Sequence, residues 1–259
     1  MVYPLEHVHD EAAQYASFLV DRIAEASTVE DIGRMANDLA GLYRTLGLCE
    51  LLIEANADGF FHRLIDSALT RQYFLQRCAS EGRVHPEQRA SVAEPLFDAI
   101  VAKQLGVARM LDGLVPNAPV EGCEYAEDYY YARLIGALVR EAIGEAESIF
   151  EQYVGALGEL SDVRVSVARA LLDRDTLEFQ QAFLNLLVQY EAEMEYERTI
   201  SYRYDDQNLV FLEGLALLCL AEERGLETHE VYRYCPPMAR RPQYAPFVPR
   251  AFPYLPLSA

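Results

Sequence analysis

The chain has 259 residues, 41 acidic against 22 basic, for a formal charge of −19. A 51% hydrophobic content excludes a disordered acidic tail. The same charge argues against a nucleic-acid or anionic-membrane partner, since both would repel it, and favours something basic.

The first ten residues hold two acids, no Lys or Arg, and no apolar core of a signal peptide. Ser27 with Glu30 has capping-box spacing and predicts a helix start. Asp58 is placed to cap a helix running through Cys78, and a loop follows at Glu81–Pro86. Glu94 before Pro95 predicts another start, because proline suits the first helical turn. Leu114–Cys123 reads as a loop. From Tyr131, apolar residues recur at Leu134, Leu138, Ala142, Ala146, Ile149, Tyr153 and Leu157. Steps of three and four predict one continuous helix.

Asp175 is placed to cap a helix through Glu197, whose stripe is Phe179, Phe183, Leu186, Tyr190 and Met194. Ser201–Tyr204 reads as a loop, and Asp205 or Asp206 as the cap of the next helix. Leu209–Ala221 is apolar almost all round, as expected of a central buried helix, and is too short to span a bilayer. Glu213 is its only charge. It is expected at the helix margin or paired with an arginine, with a buried functional carboxylate as the alternative. Gly225 fits a left-handed helix stop. No segment alternates with period two over a useful length. The expectation is all-α, a multi-helix bundle of about eight helices.

After Glu230 the acids stop. Four arginines (Arg233, Arg240, Arg241, Arg250) make this end +4 and leave −23 for the rest. It carries seven of the twelve prolines, which forbid a continuous helix, and the aromatics Tyr234, Tyr244, Phe247, Phe252 and Tyr254. The expected division is a helical domain over 1–232 and an extended Pro-rich tail over 233–259, docked on the acidic body. A disordered tail is the alternative.

Chemical motifs are missing. The five cysteines are odd in number and lack CxxC spacing, which fits free thiols in a reducing, cytoplasmic setting. Lys103 has no phosphate-loop glycines before it, and GxSxG is absent. His229-Glu230-Val231-Tyr232-Arg233 imitates HExxH but puts arginine where the second ligand belongs. His9-Asp10 alone is a weak metal signal. No catalytic, cofactor-binding or metal-binding residue is assigned, and an enzyme is not expected.

Two acidic clusters stand out instead. One is Glu121, Glu124, Glu127 and Asp128, set beside Tyr129 and its neighbouring tyrosines. The other is Glu191, Glu193, Glu195 and Glu197, followed by Asp205 and Asp206. On a helix, Glu191 faces Glu195 and Glu193 faces Glu197. Each like-charge pair costs a few tenths of a kcal/mol. Both clusters can be solvated faces, the first also serving a helix dipole. They can equally be a surface for a cationic partner, where tyrosine supplies contact area and acids steer association.

Three segments, taken together, resemble the immunity protein 49 family of bacterial polymorphic-toxin systems. They are Glu124–Arg133 (EYAEDYYYAR), Ala170–Leu187 with Asp173, Asp175, Phe179 and Phe183, and Leu209–Gly225 ending in Arg224-Gly225. With the helix from Asp58, the resemblance spans roughly residues 30–240. The chain has Tyr190 where such patterns often show His, and the Pro-rich end lies outside it. The resemblance implies an all-α, non-enzymatic antitoxin that occludes the basic surface of a secreted toxin, mainly of nuclease type. A helical adaptor or scaffold for another basic protein is the alternative.

Overall fold

The computed structural model describes residues 4–82, 84–200, 206–241 and 243–248. It is 74% helical, with ten α-helices and no strand among the described residues. The helices are α1 (Leu5–Glu25), α2 (Val29–Glu54), α3 (Ala57–Glu81), α4 (Glu94–Val101) and α5 (Leu105–Leu114), then α6 (Ala126–Val139), α7 (Ile143–Leu157), α8 (Arg164–Asp173), α9 (Thr176–Ile200) and α10 (Leu212–Glu223). Short 3-10 turns lie at Pro86–Gln88, Asp206–Leu209 and Pro237–Arg240.

The count exceeds the expected eight for a local reason. The apolar stripe from Tyr131 to Leu157 is not one helix. It breaks between α6 and α7, where Glu141 takes a left-handed φ of 58°. Glu141 N–H donates to Leu138 O and Ala142 N–H to Ala137 O, which closes α6. Glycine usually fills such a position, so no glycine marks the break. The stripe continues across it because both helices turn their apolar faces to one core.

The α2–α3 hairpin is the largest helix pair, with α1 packed on α2. Pairs α6–α7 and α8–α9 build the other half. Helix α10 lies between, against α4, and every residue from Gly214 to Ala221 is buried. Side chains from all ten helices join one continuous core.

Helix starts follow local chemistry, with three corrections. The cap of α2 is Thr28, not Ser27. Its hydroxyl accepts from Asp31 N–H at 3.2 Å, one residue beyond the expected box. The cap of α3 is Asn56, which accepts from Gly59 N–H at 2.9 Å. Asp58 therefore falls inside the first turn with its carboxylate available. Glu94–Pro95 opens α4, Asp175 accepts from Glu178 N–H at 3.0 Å, and Gly225 has a φ of 81°. Asp206 begins a 3-10 turn, and α10 starts only at Leu212. Ser201–Tyr204 and Asp205 lie outside the described residues.

The Asp58 carboxylate accepts two backbone N–H groups from the tail, Tyr244 and Ala245, each at 2.9 Å. His62 Nε2 lies 3.1 Å from Ala245 O, and its ring meets Phe247 edge-on. Arg240 binds Glu222 and the Thr228 hydroxyl. Tyr232, Cys235 and Ala239 are buried, and Phe211 N–H donates to Tyr234 O at 2.8 Å. The chain around residue 233 thus belongs to the core, and the 3-10 turn at Pro237–Arg240 departs from a wholly extended tail. Arg250, Phe252 and Tyr254 lie outside the described residues. Among the described residues, no helix is long and apolar enough to cross a membrane.

Candidate functional site

Helix α10 carries Glu213 in its first turn, at the floor of a cavity of about 500 Å³. The walls come from distant parts of the chain. Arg44 projects from α2, Glu94 from α4, Asp128 and Tyr131 from α6, Arg164 from α8, and Tyr190 from α9.

The Tyr131 hydroxyl donates to Glu213 Oε1 at 2.7 Å. The Arg164 guanidinium lies over the Tyr131 ring, 4.4 Å from its centre. That arginine is held from behind by Asp162, at 2.7 Å from Nη2 and 2.9 Å from Nε. Asp162 also accepts the Tyr153 hydroxyl at 2.5 Å. Arg164 reaches Asp128 more loosely, at 3.9 Å. On the opposite wall, Arg44 binds the buried Asp98 through Nε at 2.9 Å and Nη2 at 2.7 Å. Asp98 also accepts the Ser67 hydroxyl.

Burial raises the Glu213 carboxyl above its ordinary value. Tyr131 and Arg164 oppose this, while Asp162 and Glu193 add to it. Burial likewise raises Asp128, against the pull of Arg164. Burial together with the facing Glu213 pushes the Tyr131 phenol well up, so it stays a donor. For Asp162, burial pushes up, but its bonds from Arg164 and Tyr153 prevail and hold it down. The chemistry is plain. Asp98 and Asp162 neutralise the two arginines, while Glu94, Asp128 and Glu213 face the cavity.

One acidic cluster reaches the cavity, and the other lies on the helix beside it. From the first, Asp128 lines the cavity. Glu124 is used internally, accepting from Ser91 N–H at 2.9 Å and Val120 N–H at 2.8 Å. Tyr129 is buried and donates to Pro116 O at 3.3 Å, so its side chain presents little to a partner. Glu121 is exposed and Glu127 half-buried. From the second cluster, Glu193 lies close enough to act on Glu213 and accepts Gln189 Nε2 at 2.7 Å. Its helical spacing from Tyr190 and Glu197 puts all three on one face. Glu195 and Glu197 are exposed. Glu191 is half-buried and ion-paired with Arg233 of the tail. Asp205 and the Asp206 side chain lie outside the described residues.

No family model, curated protein or solved structure matches the chain.

Arg44, Glu94 and Arg164 had no sequence signal as site residues. Their helices come from distant parts of the chain, and only tertiary packing brings them together. Glu213 had one, as the sole charge in an apolar run. It lies half-buried at the helix margin, in the first turn of α10, and is bonded by a tyrosine rather than an arginine.

Proposed function

We propose that this chain is an immunity-type binding protein that acts in the cytoplasm. It takes a basic toxin domain, of nuclease class, on the acidic face of α9 and the cavity mouth. Neutralisation follows from covering the partner's cationic, phosphate-gripping surface, which nucleic acid then cannot reach. The carrying observation is that Asp128 of one acidic cluster lines the cavity with Glu213, while Glu193 of the other shares its helix face with Tyr190, which lines the same cavity. Support also comes from the net charge of −19, which speeds capture of a basic partner. The family resemblance rests on the residue pattern alone.

The test is to read the adjacent gene for a small basic toxin domain and to co-express that domain with this chain; an isolated gene favours an adaptor. Protection of growth, together with co-purification of the two chains, is the expected result. A neighbouring domain that neither binds nor is neutralised overturns the proposal. An adaptor would use the same acidic face, but its partner would keep full activity in the complex.

A further inference from the structure

Both guanidinium groups on the cavity wall are engaged inside the protein, Arg44 by Asp98 and Arg164 by Asp162. With Glu94, Asp128 and Glu213, five carboxylates surround two arginines. The excess is three negative charges when all are ionised. Glu213 is half-buried in the first turn of α10. Its Oε1 has one neutral donor, and its Oε2 has no hydrogen-bond partner among the described residues. Arg164 favours the charged form of Glu213 but is turned to Asp162, and a partly desolvated carboxylate gains from a cation placed directly beside it.

The shape of the space narrows the occupant. A volume of about 500 Å³ matches small-ligand sites and far exceeds one ion. Among the described residues, no three acids converge closely enough to share a metal. Phe97, Tyr190 and Phe211 add flat apolar wall, with Tyr190 and Phe211 stacked at 4.1 Å. Carboxylates beside aromatic faces suit a cation carried on a carbon stem.

We propose that the cavity binds an organic cation, a guanidinium or alkylammonium group, with Glu213 as its main counter-ion and Asp128 and Glu94 at its sides. The source of that group rests on the function proposed above: an Arg or Lys side chain of the basic partner. A free amine of the same chemistry is the other source.

The test is calorimetric titration of the full chain with agmatine at low ionic strength. Sodium chloride at matched ionic strength and magnesium chloride are titrated in parallel. Saturable one-to-one binding is expected for wild type and for the remote surface variant Glu159→Gln. Glu213→Gln, which keeps the side chain's shape, is expected to bind roughly ten-fold more weakly or worse. Asp128→Asn, on the half-exposed wall, gives a smaller loss in the same direction, and melting curves verify that each variant is folded. A basic peptide with one arginine that binds more tightly than agmatine names a protein side chain as the source. The reverse order names a free amine.

Non-saturating binding that follows ionic strength alone overturns the site, as does equal affinity in all four proteins. Magnesium binding with the same dependence on Glu213 overturns the organic cation. The titration contains no protein partner. Agmatine binding without toxin capture sinks only the immunity proposal. Toxin capture with no agmatine binding sinks only the cavity site.

Discussion

The Tyr131 hydroxyl donates to Glu213 Oε1 at 2.7 Å and so ties α6 to the buried start of α10. Among the described residues it is the one hydrogen-bond donor to a carboxylate that burial holds above its ordinary value. The folded protein therefore keeps the Glu213 proton more tightly than the unfolded chain does. That contribution to stability is complete below the unfolded carboxyl range and is lost as pH rises through the native titration. Glu213→Gln carries no charge at any pH. Its stability is expected to gain on wild type by about 1 kcal/mol between about pH 5 and about pH 8. Urea unfolding midpoints at the two pH values check this. A constant difference would contradict it.

Asp112 holds α5 to α6 through two arginines. Arg133 Nη1 reaches Oδ1 at 2.7 Å, and Arg140 Nε reaches Oδ2 at 2.6 Å. The carboxylate fits only because residue 136 is glycine. A Cβ there would lie 2.2 Å from Asp112 Oδ1. Asp112→Ala leaves two guanidinium groups without their shared partner and is expected to cost about 3 kcal/mol. Gly136→Ala should destabilise as well, by displacing the same carboxylate. Urea denaturation reads both.

Asp58 acts as a latch for the tail, through its bonds to Tyr244 and Ala245 N–H. Asp58→Ala is expected to speed hydrogen exchange at those two amides and to cost only about 1 kcal/mol of global stability. The cap of α3 is Asn56, so the helix itself should persist. Unchanged exchange would mean that Phe247 and His62 hold the tail without Asp58.

Much of the fold was legible because its causes are local. Glu94–Pro95, Asp175 and Gly225 act within one turn of chain, and each marks the boundary it signals. The α6–α7 break was not legible, since Glu141 takes a glycine-like conformation without being glycine. What holds the break in place is distant. Arg140 is anchored to Asp112 and to Glu145, and no spacing reports that pair. The candidate site divides along the same line. Glu213 was conspicuous as a lone charge in an apolar stretch. Its setting depends on Tyr131, Arg164 and Arg44, brought to it by three other helices. Glu124 and Tyr129 look like surface residues in the sequence, yet backbone partners in neighbouring loops take them up.

Glu193 and Glu197 share the α9 face that leads to the cavity, and Glu195 is exposed beside them. Exposed interface charges act chiefly on encounter, so their reversal should slow association more than it speeds dissociation. Glu124→Gln, by contrast, should lower stability and leave encounter unchanged, because Glu124 holds two backbone N–H groups inside the protein. Melting temperature and association rate, measured side by side, separate the two effects.

Capture of a basic partner by this acidic face is tested most directly by one kinetic measurement. The association rate constant of the neighbouring gene's basic domain is measured at low and high ionic strength. Wild type is compared with the triple reversal Glu193→Lys, Glu195→Lys and Glu197→Lys. Electrostatic capture predicts a rate that falls steeply with salt in wild type, and a roughly ten-fold or greater loss in the variant at low salt. Equal, salt-insensitive rates for the two proteins would contradict it.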